Sequence, residues 1–194
     1  MTPEDIAAWH AGNVGAGGAT AAAAALLFPN DAPAWALAYL RGTGARRPST
    51  CALYGMSYLR WRGVSHPKLD AGYAGQIGMA PATLEEAARS VGAWSTDPDE
   101  LATFPEPGDI VRIGGLGVGE LHIVCPTGAD AASGAVESVD GGQLPDSTYV
   151  QKCHRIMVLD AHEKPWLVRA DVPFVLGLPN GRPITARVVG ARLP

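Results

Sequence analysis

Cys51 stands in a sequence context that suits a nucleophile. It follows Ser49 and Thr50 in the stretch RPSTCALYGMSYLRWRG, residues 47–63, and opens a predicted amphipathic helix. Either hydroxyl can cap that helix, which leaves the thiol in the first turn, where unpaired N–H groups and the helix dipole favour an anion. Because the thiolate is the reactive form of cysteine, this position predicts nucleophilic chemistry. For a cysteine taken alone, quiet burial is the alternative interpretation.

His122 and Asp140 are the residues that could activate this thiol. His122 lies in the strand-like segment GELHIVCPTGAD, residues 119–130, on the opposite sheet face from its two sequence neighbours. Asp140 lies near the end of the next strand candidate, GAVESVDGG, residues 134–142. If the two strands pair, the carboxylate can orient the imidazole as a general base for Cys51. The alternatives are a core histidine and a turn aspartate.

Gly55 is an unusual residue for the middle of the helix that begins at Cys51. It lies one turn beyond the cysteine on the same face, and a glycine inside a helix costs about 1 kcal/mol relative to alanine. We interpret it as a position where another element approaches the helix closely, beside the sulfur.

Two other patterns compete for a function. GGLGVG, residues 114–119, has the composition of a phosphate-binding loop, but a strand follows it instead of a helix, which favours a hairpin loop. Zinc ligands are also available on paper: Cys51, His122, Cys125, Cys153 and His154. However, the side chains of His122 and Cys125 point to opposite sheet faces, and so do those of Cys153 and His154. The sequence therefore predicts no metal and no cofactor.

Helices precede strands along the chain. Helical patterns cover residues 3–12, 18–28, 32–41, 50–62 and 81–94. Strand patterns follow at 105–115, 119–130, 134–142 and 149–160, with weaker candidates at 165–170 and 183–191. This order predicts the α+β class, with the N-terminal helices packed on a central antiparallel sheet.

Composition limits both the size of the protein and its partners. The chain has 194 residues, 47% of them hydrophobic, which predicts a single domain with a sizeable core. A net charge of -4 without a basic cluster argues against a nucleic-acid partner, and no apolar segment is long enough for stable membrane insertion. Three cysteines argue against a disulfide framework. No signal peptide is recognisable, so we expect synthesis in the cytoplasm.

The motif order resembles a known group of enzymes. STCALYGMSYLRWRG, EPGDIVRI, LHIVCPTG and SVDGGQ together resemble the NlpC/P60 and CHAP groups of papain-like cysteine peptidases and amidases. The resemblance implies a papain-like fold in which the cysteine starts a helix packed on the sheet.

The same resemblance implies roles for individual residues. Cys51 becomes the nucleophile, His122 the general base and Asp140 the orienting residue, with Gln143 as the alternative for that third role. The backbone N–H of Cys51 becomes the expected oxyanion donor.

The resemblance also divides the chain into three parts. They are a helical N-terminal extension at residues 1–45, a catalytic core at 47–160 and a C-terminal extension at 161–194 with no assigned role. The implied function is hydrolysis of peptide or amide bonds in peptidoglycan stem peptides through a thioester acyl-enzyme. Expected partners are the peptidoglycan peptide, a secretion machine or phage that delivers the protein to the cell wall, and a cognate inhibitor protein. A deamidase or protease acting on a protein target, and a non-catalytic binding module, remain alternatives.

Overall fold

The structure is a computed structural model. It describes residues 1–42, 50–73, 80–114, 122–143, 147–171, 181–190 and 193–194. Ser49, one of the two capping candidates, and residues 115–119 of the glycine-rich stretch lie outside these ranges.

Seven helices occur in the described part of the chain. They are α1 (Pro3–Asn13), α2 (Ala21–Leu27), α3 (Pro33–Arg41), α4 (Cys51–Trp61), α5 (Pro67–Asp70), α6 (Ala80–Ser90) and α7 (Pro98–Ala102). Thr2 begins α1 with a capping box, in which its hydroxyl accepts from Asp5 N and the Asp5 carboxylate accepts from Thr2 N. The five predicted helices correspond to α1–α4 and α6, whereas the short α5 and α7 were not predicted. Both are single turns that begin with proline, too short for a helical period to show.

The described residues form eight strands. They are β1 (Trp94–Ser95), β2 (Ile110–Ile113), β3 (His122–Val124), β4 (Pro126–Asp130), β5 (Ala135–Gln143), β6 (Tyr149–Leu159), β7 (Pro165–Arg169) and β8 (Gly181–Val188). The order in the sheet is β3-β2-β8-β7-β6-β5-β4, with β1 paired to β8. Each of these pairings is antiparallel.

A bend at Cys125 nearly closes this sheet into a barrel. The segment predicted as one strand at 119–130 divides there, so that β3 pairs with β2 while β4 pairs with β5. Pro126 follows the bend, and its missing N–H removes one donor from the ladder. Because β3 and β4 are the two ends of the strand order and consecutive in the chain, their junction joins the two edges of the sheet.

The two faces of the sheet pack against different hydrophobic clusters. Ile110 and Ile123 face the helices in the first cluster, together with Met56 of α4. Their strand neighbours Val111 and Val124 belong to a second cluster on the other face. This alternation is the period of two expected for strands covered on both sides. The first cluster fixes α4 on the sheet and so determines where the thiol of Cys51 lies.

The two predicted extensions are built into this core. In the first, α1, α2 and α3 contribute buried residues such as Ile6, Leu27 and Leu40 to the first cluster. In the second, β8 lies between β2 and β7 in the sheet. Residues 161–194 therefore contain strands of the central sheet and are not an extension of it.

A buried ion pair between Asp109 and Arg187 connects the start of β2 to β8. Asp109 belongs to the EPGDIVRI motif, and its Oδ2 lies 3.2 Å from Nε of Arg187. The same carboxylate accepts hydrogen bonds from Glu106 N and Gly190 N, at 2.9 and 2.6 Å. Asp109 thus stabilises the turn and the C-terminal strand together.

Candidate active site

Cys51 is the first residue of α4 and is 6% exposed. The residue before it does not cap the helix as predicted, since the Thr50 side chain makes no cap hydrogen bond. Instead the Thr50 hydroxyl accepts from Gly142 N at 3.1 Å and lies 3.3 Å from Thr148 O. Thr50 therefore ties the start of α4 to the end of β5 and to the start of β6.

Two glycines allow α4 to approach the sheet closely. A β-carbon on Gly141 would lie 2.6 Å from Tyr54 Cβ and 2.9 Å from Thr50 O. A β-carbon on Gly55 would lie 2.7 Å from Leu84 Cδ1 and 3.1 Å from Ile123 Cγ2. Gly55 thus allows α6 and β3 to pack against α4, while Gly141 allows the end of α4 that carries Cys51 to pack against β5.

His122 is the first residue of β3, and its side chain is 19% exposed. It lies close enough to the Cys51 side chain for the sulfur to raise the pKa of the ring. Its Nε2 lies 3.5 Å from Asp140 Oδ2 and 3.3 Å from Gln143 Nε2. The structure therefore brings the predicted nucleophile, base and both candidates for the third residue together.

Electrostatics at this site favour a protonated imidazole. Burial opposes the charge on the ring, but the neighbouring Asp140 carboxylate and Cys51 sulfur outweigh it and raise the pKa of His122 to about 9 from the usual 6.5. The ring is therefore protonated at neutral pH, beside the Asp140 carboxylate.

Asp140 reaches the imidazole by a different route from the one predicted. β5 does not pair with β3; it pairs with β4, because the chain bends at Cys125 before the two strands can run side by side. The Asp140 side chain takes part in this bend, since its Oδ1 accepts from Cys125 N at 3.1 Å.

Arg155, in β6, is a member of the site that the sequence did not predict. Its Nη2 donates to Asp140 Oδ2 at 2.6 Å, and both side chains are buried. This guanidinium and the His122 ring hold the pKa of Asp140 well below its usual range, although burial alone would raise it. The available signal was its position two residues after Cys153, a cysteine expected to be buried, because a guanidinium on a buried strand face needs an anionic partner.

The other two cysteines lie near the site without the surroundings of a nucleophile. Cys125 is fully buried, and burial raises its pKa well above the usual range. Burial also raises the pKa of Cys153, to about 12. Both thiols are protonated at neutral pH.

Two further features are absent from the ranges that the structure describes, a metal-binding cluster and a membrane-spanning helix. There, no three His, Cys, Asp or Glu side chains are grouped so that they could hold a metal ion. No helix in those ranges has the length and apolar character needed to span a bilayer.

Comparison of the chain with protein-family models, with curated proteins and with solved structures finds no significant match in any of the three.

Proposed function

We propose that this protein is a cysteine hydrolase of amide bonds, with Cys51 as nucleophile, His122 as general acid and base, and Asp140 as the orienting anion. The observation that carries the proposal is the convergence of three side chains: Cys51 acts on the His122 ring, and Asp140 Oδ2 lies 3.5 Å from Nε2 of that ring. A thiol at a helix start, paired with an imidazole that is itself held by a carboxylate, is the arrangement that activates a cysteine.

The proposed reaction has two halves. In the first, the Cys51 thiolate attacks the amide carbonyl, and the His122 imidazolium gives its proton to the leaving amine as the C–N bond breaks. In the second, neutral His122 takes a proton from water, the hydroxide attacks the thioester, and the carboxylic acid leaves as Cys51 is restored. The backbone N–H of Cys51 is the proposed donor to the oxyanion in both halves.

Thr50 supports that last assignment. Because its hydroxyl is engaged with Gly142 and Thr148, it does not occupy the N–H groups in the first turn of α4. The N–H groups of that turn point along the helix axis, toward the N-terminal end of α4 where Cys51 lies.

We further propose the peptide stem of peptidoglycan as the substrate and a papain-like fold of the NlpC/P60 kind. The support is the order of the four motifs, from STCALYGMSYLRWRG to SVDGGQ, around the three proposed catalytic residues. On the same basis we propose that a phage or a secretion machine delivers the protein to the cell wall.

Digestion of purified sacculi tests the activity and the substrate together. Wild-type protein and Cys51→Ala are incubated with sacculi, and the products are identified by mass spectrometry. New muropeptides from the wild type alone support the proposal, provided that circular dichroism shows both proteins folded. Equal digestion by Cys51→Ala overturns the role of Cys51. Unchanged muropeptides at high enzyme concentration overturn the substrate and direct the search to protein amides.

A thiol probe tests the activation of Cys51 without any substrate. We expect iodoacetamide at pH 6 to label Cys51 faster than a free thiol, because the thiolate persists beside an imidazolium. Peptide mapping separates this label from any on Cys125 or Cys153, which are buried and protonated. Labelling of Cys51 no faster than a free thiol would mean an inert cysteine and would favour a binding module.

A further inference from the structure

We propose that Arg155 is a positioning residue of this site, which fixes the Asp140 carboxylate and offsets part of its charge so that His122 can release its proton. This inference rests on the proposed function, since it assigns the reacting proton to His122. Arg155 acts through Asp140 and touches neither the thiol nor the substrate in the proposed reaction.

The geometry leaves the Asp140 carboxylate no freedom to turn. Its Oδ1 accepts from Cys125 N at 3.1 Å, and its Oδ2 accepts from Arg155 Nη2 at 2.6 Å. The same Oδ2 lies 3.5 Å from His122 Nε2, which is a longer distance. Arg155 therefore makes the shorter of the two contacts to Oδ2. The imidazole interacts with a carboxylate that the guanidinium has already oriented and partly neutralised.

Charge balance is the physical reason for this arrangement. With Arg155 present, the imidazolium and the guanidinium together match the thiolate and the carboxylate. Without Arg155, the imidazolium is the only cation between two anions and binds its proton more tightly. The imidazolium and the guanidinium both contact Asp140 Oδ2, so their contacting nitrogens are no more than about 6 Å apart. Like charges within that distance lower the pKa of a histidine.

Other ionisable groups near His122 and Asp140 keep one protonation state from about pH 5 to 9. They are His10 of α1, Tyr54 of α4, Cys125, and Cys153 of β6. Burial holds the pKa of His10 at about 4 and raises the pKa of Tyr54 and of both thiols. Arg169, the last residue of β7, forms an exposed ion pair with Asp171. The group whose charge changes beside Arg155 is therefore His122, opposite Cys51 and Asp140.

The test is an NMR titration of the His122 ring in wild type, Arg155→Met and Arg155→Lys, with Cys51 intact. We expect the apparent pKa of His122 to rise by about one unit in Arg155→Met and to stay near the wild-type value in Arg155→Lys. An unchanged titration in folded Arg155→Met overturns the inference. If Arg155→Met does not fold, Arg155→Lys decides alone: a titration shifted by a unit or more would show that charge is not what Arg155 supplies.

Kinetics then separate positioning from folding. At pH 7, Arg155→Met is expected to lower kcat at unchanged KM, because a more tightly held proton is released more slowly to the leaving amine. A change confined to KM would contradict the inference. The titration needs no substrate, so an inert Cys51 would overturn the proposed function while leaving the charge effect of Arg155 measurable.

Discussion

The Cα of Cys51 lies 3.3 Å from the position that a β-carbon on Gly141 would occupy. The same β-carbon would lie 2.9 Å from Thr50 O, a backbone atom that cannot rotate away. Gly141→Ala should therefore push the start of α4 off β5 and separate the thiol from His122. We expect hydrolysis to fall by at least about a hundred-fold, since a displacement of 1 Å in a reacting group has effects of that size.

Gly128→Ala is the matched control for Gly141→Ala. Gly128 is also a strand glycine, but a β-carbon there would meet its nearest atom, Glu137 Cβ, at an ordinary 3.7 Å. Steady-state assays should find Gly128→Ala close to wild type. Equal losses in the two variants would refute close packing at Gly141 as the cause.

Replacement of Asp140 and of Gln143 identifies the third member of the site. We expect Asp140→Asn to lower kcat about a hundred-fold or more and Gln143→Ala less than ten-fold, because only the carboxylate stabilises an imidazolium by charge. Asp140→Asn also leaves Arg155 buried and unpaired, which costs about 3–5 kcal/mol. The double variant Asp140→Asn/Arg155→Met removes that cost while keeping the loss of activity. A larger loss in Gln143→Ala than in Asp140→Asn would reverse the assignment.

The raised pKa of His122 predicts the alkaline limit of activity. The folded protein holds this proton up to about pH 9, whereas an ordinary histidine loses it near 6.5. We therefore expect kcat/KM to decline as pH rises through about 9. The interaction also stabilises the fold, fully below pH 6.5 and progressively less up to pH 9. A pH-rate profile and urea unfolding over the same range measure both effects, and a decline centred near 6.5 would contradict them.

Thr50 is predicted to position the nucleophile through its hydroxyl. Thr50→Val keeps the shape of this buried side chain but leaves Gly142 N without its acceptor, which costs about 1–3 kcal/mol. Because the contact holds the start of α4, we expect kcat to fall along with stability. Thr50→Ser retains the hydroxyl and should restore most of both. If chemical denaturation and kinetics find Thr50→Ser as impaired as Thr50→Val, the hydroxyl is not the important group.

Buried His10 predicts a loss of stability in acid. Burial lowers the pKa of His10 to about 4, so the unfolded chain binds a proton below pH 6.5 that the native protein does not accept. Stability should therefore fall by about 2–3 kcal/mol between pH 7 and pH 4.5 from this residue alone. His10→Gln removes the titrating group and should flatten the profile from urea unfolding. A profile in His10→Gln that falls as steeply as that of the wild type would contradict this assignment.

The pattern of residue types was sufficient for the helix that carries Cys51. The approach of Asp140 to His122 was expected from direct pairing of their strands, whereas the structure achieves it through the bend at Cys125. A cysteine at a helix start and a glycine one turn later are local signals, and the structure places α6 and β3 against that glycine. Arg155 carried a local signal as well, but its partner depends on how β5 and β6 align. The register places Arg155 opposite Val136 and Asp140 opposite Gln151, and no period in the sequence encodes it.

Two other outcomes depended on contacts between distant parts of the chain. Thr50 looks like a helix cap because capping is the local use of its hydroxyl, whereas its partners here come from the connection between β5 and β6. The position of β8 also depends on distant parts of the chain, because β8 follows β2 and β7 in the sequence but pairs with both of them.

The position of β8 has a consequence for biosynthesis. On the ribosome, Cys51 and His122 emerge long before residues 181–188, so the growing chain holds β2 and β7 with the gap between them still open. Pairing across large sequence separations is slow, and domains complete their folding only when every strand is available. Cys51 and His122 therefore rest on a complete sheet only after β8, far along the chain, has been translated and has paired with both neighbours.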